Sequence, residues 1–250
     1  MSIICWNCRG LGNLRTVQDL RQMVKVKRLW MVFLMETKPW KSKMEVVRYK
    51  LGFPNLFVVD CVGKSDGLAL LWGDEIVLDI QNYSHRHING LIKTLMVDAQ
   101  WKFTGFYGHS DVTKRQESWD LLKVLNNFLP TPWICLGDFN EIILNAEKWG
   151  GNNRSSSQMR RFQLALEECE LSDLGFRGPK YIWSNCRESG EFIKEHFDRG
   201  VANIEWCDLF PSAEIWVEGQ TNSDHAMLNL FLFSQSRVKV KACRFRYEAS

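Results

Sequence analysis

Short apolar runs that end on polar residues recur along this chain. Residues 2–6 run straight into Asn7, residues 29–35 end at Glu36, and Trp133-Ile134-Cys135-Leu136 passes through Gly137 to Asp138, Phe139, Asn140 and Glu141. Runs of this length and apolarity read as strands buried on both faces. Their polar ends then mark strand exits, where ligand sites in α/β folds usually sit. Gly137 suits a tight exit. On an extended chain Asp138 and Asn140, two apart, project to the same side. A strand followed by Gly-Asp is also an ordinary turn, so the run alone leaves both readings open.

The remaining pattern predicts a helix over 16–28, capped by Thr16 with Val17, Leu20, Val24 and Leu29 on one face, and a second helix over 40–51 with Met44 and Val47 inward. Strands follow at 56–60, 68–72, 77–83, 87–98 and 101–107, separated by turn signals such as Ser65-Asp66-Gly67. A helix is expected over 114–128, where Trp119, Leu122, Leu125 and Leu129 recur near helical spacing, then an exposed Gly/Asn/Ser-rich loop over 148–157 and a helix over 158–169. Tyr181-Ile182-Trp183-Ser184-Asn185 leads to strands at 192–197, 213–217 and 227–233, with a short helix over 203–210. Strands and helices alternate too irregularly for a simple doubly wound sheet, and no repeat is present. An α/β fold of two packed sheets with outer helices is expected.

Composition narrows the class. The chain has 250 residues, 45% hydrophobic and 24% charged, which fits an ordinary globular protein and argues against disorder. One domain is expected over 1–233. A basic tail over 234–250, with Arg237, Lys239, Lys241, Arg244 and Arg246, would either follow a phosphate backbone or form a solvated arm. A net charge of +3 gives only weak support for a polyanionic partner. The eight cysteines include one close pair, Cys5 and Cys8, without zinc-finger spacing. No leader pattern opens the chain, and no apolar run approaches the roughly 20 residues that span a bilayer. The expectation is an intracellular monomer with reduced thiols, nuclear or cytoplasmic, not secreted and without a membrane partner.

Six blocks occur in order between Asn7 and His225: Trp-Asn-Cys-Arg-Gly at Asn7, Met-Glu-Thr at Glu36, Tyr107, Gly-Asp-Phe-Asn at Asp138, Asp198-Arg199, and Ser223-Asp224-His225. Together they resemble the endonuclease/exonuclease/phosphatase superfamily. Residues 5–13, 178–185 and 200–210 look like the endonuclease domain of plant LINE-type retrotransposons. The resemblance implies a deoxyribonuclease I-like, four-layered α/β sandwich of two packed mixed β-sheets flanked by helices. It also implies a magnesium-dependent endonuclease that nicks one strand of a nucleic acid, DNA, with Mn2+ as an alternative to Mg2+.

Carried over by position, Asp138 would activate water, Asn140 would hold the phosphate or the Asp138 geometry, and His225 would contact the scissile phosphate. Asp198 would orient and charge His225, and Tyr107 would donate to a phosphate oxygen. Glu36 and Asn7, with Asp224 nearby, would hold the metal, and Trp183, Asn185 and Arg199 would meet substrate. Glu141 is set aside as a loop residue, and His85, His87, His109 and His196 as surface or loop residues. Arg9 departs from the pattern, standing where abasic-site enzymes of the superfamily carry an Asp. Two alternatives remain: a catalytically weakened, retroelement-derived nucleic-acid-binding remnant, and a phosphatase or phosphodiesterase acting on a small phosphorylated substrate.

Overall fold

The computed structural model describes residues 1–11, 14–27, 29–38, 41–61, 67–127, 131–185, 192–219 and 223–233. The expected basic tail and the turn at Ser65-Asp66 lie outside these residues. In chain order the elements are β1 (Ser2–Asn7), α1 (Leu14–Lys27), β2 (Met31–Met35), α2 (Lys41–Leu51), β3 (Asn55–Val59), β4 (Leu68–Trp72), β5 (Ile76–Ser84), β6 (His87–Thr94) and β7 (Val97–Tyr107). There follow α3 (Arg115–Asn126), β8 (Trp133–Asp138), β9 (Lys148–Trp149), α4 (Ser156–Glu168), β10 (Ser172–Asp173), β11 (Trp183–Ser184), β12 (Lys194–Glu195), β13 (Asp198–Ala202), α5 (Ile204–Leu209), β14 (Glu214–Glu218) and β15 (Met227–Phe231).

Two six-stranded sheets form, in the orders β14-β15-β1-β2-β4-β3 and β10-β13-β8-β7-β6-β5, with a small sheet β11-β12-β9 beside them. Both large sheets are mixed, because β1 pairs β2 in parallel and β7 pairs β8 in parallel while their other ladders are antiparallel. Strand alternation builds the layers. Ile3 and Cys5 of β1 pack with Phe33, Phe103, Ile134 and Leu136 between the sheets, whereas Ile4 and Trp6 join Val17, Leu20, Met44 and Val47 beneath α1 and α2. On the far side Trp133, Cys135 and Val201 meet Trp119, Leu122, Phe162 and Leu166 of α3 and α4. The central strands therefore bury both faces, which is why they read as unbroken apolar runs. The four-layered sandwich expected from the resemblance is the fold observed.

Several boundaries differ from the sequence pattern. Thr16 does not cap α1 but lies inside it, buried. The run over 87–98 is split by a turn at Leu95-Met96, after which β7 continues unbroken to Tyr107. Residues 148–149 form β9 rather than loop, because they pair with β12. The strand expected over 192–197 is replaced by β12 and by β13, which starts at Asp198 and pairs antiparallel with β8. Polar Asp198 and Arg199 followed by Gly200 conceal that strand in the sequence. Gly137 is not an exit residue but sits inside β8, where a Cβ would lie 1.7 Å from the Phe106 carbonyl oxygen. The left-handed turn comes at Asn140, with φ 55°.

Candidate active site

The inward-facing residues at one edge of the sandwich are polar. On β1 the inner set Ile3 and Cys5 continues to Asn7; on β7 Phe103 continues to Tyr107; on β8 Ile134 and Leu136 continue to Asp138. Because β13 runs antiparallel to β8, its first residue Asp198 lies directly across from Asp138. Glu36 follows β2 in a left-handed conformation, φ 52°. His225 is bridged to Trp183, and its loop is stapled to β1: Ser223 Oγ donates to the Asn7 carbonyl at 2.7 Å and accepts from the His225 N–H at 3.1 Å. Trp6 Nε1 adds a bond to the His225 carbonyl at 3.1 Å. Ser223 and Trp6 lie within the sequence blocks above, but the pattern gave neither of them a role.

Two hydrogen-bonded groups result, and they face each other. Asn7 Nδ2 donates to Glu36 Oε1 at 2.9 Å and to Asp138 Oδ2 at 3.1 Å, and the Tyr107 hydroxyl donates to Glu36 Oε1 at 3.0 Å. The Asn140 N–H donates to Asp138 Oδ1 at 2.9 Å, while its side-chain amide donates to the Gly108 carbonyl at 3.0 Å. Asn140 thus holds the Asp138 carboxylate through its backbone, fixed by a left-handed turn that Asn tolerates. His225 Nδ1 donates to Asp198 Oδ2 at 2.7 Å, and Nε2 lies 3.8 Å from Asp138 Oδ2. The Asp224 carboxylate accepts from Arg9 at 2.9 Å and from Trp183 Nε1 at 3.0 Å.

Burial and paired charge set the protonation states. Burial pushes the Asp138 carboxyl up to about 7, with Asp198 reinforcing the shift and His225, Asn7 and Asn140 opposing it. Burial alone would depress His225; Asp198, followed by Asp138 and Asp224, overcomes this and carries the imidazolium up to about 9. At neutral pH His225 is cationic, and Asp138 titrates near the ambient pH.

The donor set suits a hard divalent cation. Glu36, Asn7 and Asp138 offer oxygens, the preferred ligands of magnesium. Asp138, Asp198 and His225 also bring ligand atoms within 4.8 Å of one another, and Asp198 Oδ1 is buried without a hydrogen-bond partner. A cationic imidazole donating to Asp198 repels a metal, so the oxygens of Glu36 and Asn7 are the better seat and the Asp-His-Asp cluster suits proton handling.

Among the expected substrate residues the structure divides. Trp183 is half-buried at the rim, tilted against Phe197 with ring centroids 5.5 Å apart. Asn185 Oδ1 accepts from the Ile193 N–H at 3.1 Å. Arg199 lies apart from the Asp138 set. Neighbouring the inward Asp198, it points to the outer face, is 2% exposed, and pairs with Glu147 at 2.9 Å and Asp173 at 2.6 Å. Glu141 is no loose loop residue: it is 1% exposed and pairs with Arg115 at 2.6 Å and Arg154 at 3.3 Å. Arg154 in turn reaches the buried Glu195 at 2.7 Å. Two histidines read as surface are buried: His87 bonds Ser84 and Asn82 and is pushed down to about 4 by burial, and His196 stacks on Phe176.

No protein-family model matches the sequence, and no curated protein matches it. Solved structures do. The endonuclease domain of TRAS1, a telomere-specific non-LTR retrotransposon, superposes with TM-score 0.65 at 15% identity over 94% of this chain and 99% of that one. The 3′–5′ exonuclease NExo from Neisseria meningitidis gives 0.69 at 15% over 94% and 100%. The AP endonuclease LMAP from Leishmania major gives 0.69 at 15% over 92% and 86%. At such identities the likeness establishes the shared deoxyribonuclease I-like fold.

Proposed function

We propose that the protein is a divalent-metal-dependent phosphodiesterase that nicks one strand of DNA. The observation that carries this reading is the meeting of two hydrogen-bonded groups, Asn7–Glu36–Tyr107–Asp138 and His225–Asp198, with His225 Nε2 3.8 Å from Asp138 Oδ2 at the edge between the two sheets. Hydrolysis of a phosphodiester requires a group to take a proton from water and positive charge on the phosphate. Asp138, raised to about 7, is matched to accept that proton near neutral pH. His225, held cationic by Asp198, donates from Nε2 to a phosphate oxygen. Glu36 and Asn7 would hold Mg2+ or Mn2+, which when bound polarises the phosphate and neutralises developing charge. Tyr107 and Asn140 keep the two carboxylates aligned. Trp183 at the rim offers an indole face to a base or sugar.

DNA as substrate is supported by the fold and by one solved neighbour, a Neisseria 3′ phosphatase bound to a product DNA hairpin, which matches with TM-score 0.68 at 16% identity. Purified protein with Mg2+ is expected to convert supercoiled plasmid to nicked circles, with the rate falling about 100- to 10,000-fold in Asp138→Asn. No nicking above His225→Ala, across Mg2+ and Mn2+ and from acid to alkaline pH, would refute the reading. Tight DNA binding without turnover would instead identify a retroelement-derived binding remnant.

A further inference from the structure

The one departure from the metal-site pattern, Arg9, lies directly over the carboxylates of the site. The chain leaves β1 through a left-handed conformation at Arg9, φ 48°. Its side chain, 47% exposed, then lies across two acids: Nη1 is 2.9 Å from Asp224 Oδ2, and Nε is 3.7 Å from Glu36 Oε2. Glu36 Oε1 already accepts from Asn7 and Tyr107, so Oε2 is the oxygen best placed to meet a cation, and it is the one the guanidinium faces. Asp224 Oδ2 accepts from both Arg9 and Trp183. Arginine keeps its charge at every relevant pH.

We propose that Arg9 is a tethered cation standing between Glu36 and Asp224, which keeps Asp224 from ligating metal and weakens divalent-ion binding at Glu36. A fixed positive charge a few ångströms from the seat of a doubly charged ion opposes its entry electrostatically. The salt bridge to Asp224 must also open before that carboxylate can turn toward a metal. Asp224 therefore acts as the anchor of Arg9 and Trp183 rather than as a ligand. The consequence is a metal seat that fills only at high free divalent-ion concentration.

The proposal rests on the metal seat at Glu36 assigned above, and the test separates the two. Mn2+ would be titrated into the protein without DNA, free ion being followed by its electron paramagnetic resonance signal, for the native chain, Arg9→Gln, Arg9→Lys, Glu36→Gln and Arg9→Gln/Asp224→Asn. Arg9→Gln is expected to bind Mn2+ about tenfold more tightly than the native chain. Arg9→Lys, which restores the charge, should return to native affinity, a recovery that a purely structural role for Arg9 would not produce. Adding Asp224→Asn should remove most of the gain, because the released carboxylate is its source. If Arg9→Gln stays within twofold of native while Glu36→Gln abolishes binding, the role of Arg9 is refuted and the metal seat stands. If Glu36→Gln leaves Mn2+ affinity unchanged, the seat itself is wrong and the proposal falls with it.

Discussion

His225 shows how far burial and pairing move a single side chain. Its folded pKa is about 9 against an ordinary 6.5, so the folded state binds a proton more tightly than the unfolded chain does. Sign follows from linkage: this contribution is fully present below about pH 6.5 and is lost as the pH rises through 9. The difference in unfolding free energy between the native chain and His225→Gln, measured by urea denaturation, should shrink by on the order of 3 kcal/mol between pH 6 and pH 10. A gap that stays constant or widens with pH would mean that Asp198 does not hold the imidazole charged. The buried positions of Arg199 and Glu141 teach the complementary lesson. A charged residue in a sequence is by default an exposed one, and nothing in the one-dimensional pattern says that these two are buried against counter-charges.

The turn that follows β8 depends on one of those hidden pairs. Asn140 holds Asp138 from a left-handed conformation, and the next residue, Glu141, anchors that turn to Arg115 at the start of α3 and to Arg154 ahead of α4. Removing one partner of a buried ion pair leaves the others uncompensated, so Glu141→Ala should lower stability by about 3 to 5 kcal/mol in urea. Loss below about 1 kcal/mol would show the pairs to be solvated and the turn self-supporting. Elements with a clean period were legible: β1, β2, β4, β8 and β15 announced themselves as apolar runs, and their polar ends supplied Asn7, Glu36, Asp138 and His225. β13, which opens on charges, was not. β13 begins Asp198-Arg199-Gly200 because its inner face joins the polar edge beside Asp138 while its outer face carries an ion pair, and each requirement interrupts the apolar signal on which strand recognition rests.

The sandwich as a whole hangs on the contact between its sheets. Phe33 of β2 is fully buried there, edge-on to Phe103 with centroids 6.3 Å apart, and a Cβ on Gly105 would come within 2.5 Å of its ring. Emptying that position in Phe33→Ala should destabilise the protein by about 3 to 5 kcal/mol in chemical denaturation, and a smaller loss would indicate that the layers collapse to fill the gap. Two covered sheets were foreseeable from the succession of apolar runs. Which strand neighbours which was not, since order within a sheet depends on pairings between residues far apart in the chain. The most distant of these is the pairing of β1 with β15, which sets Ile3 against Leu230 and Cys5 against Leu228. During synthesis from the ribosome, β1 emerges long before its antiparallel neighbour β15 and the histidine just ahead of it. A nascent chain halted before His225 therefore lacks both one side of its first sheet and the imidazole that faces Asp198, so the polar edge between the sheets closes only once residues from both ends of this fold have met.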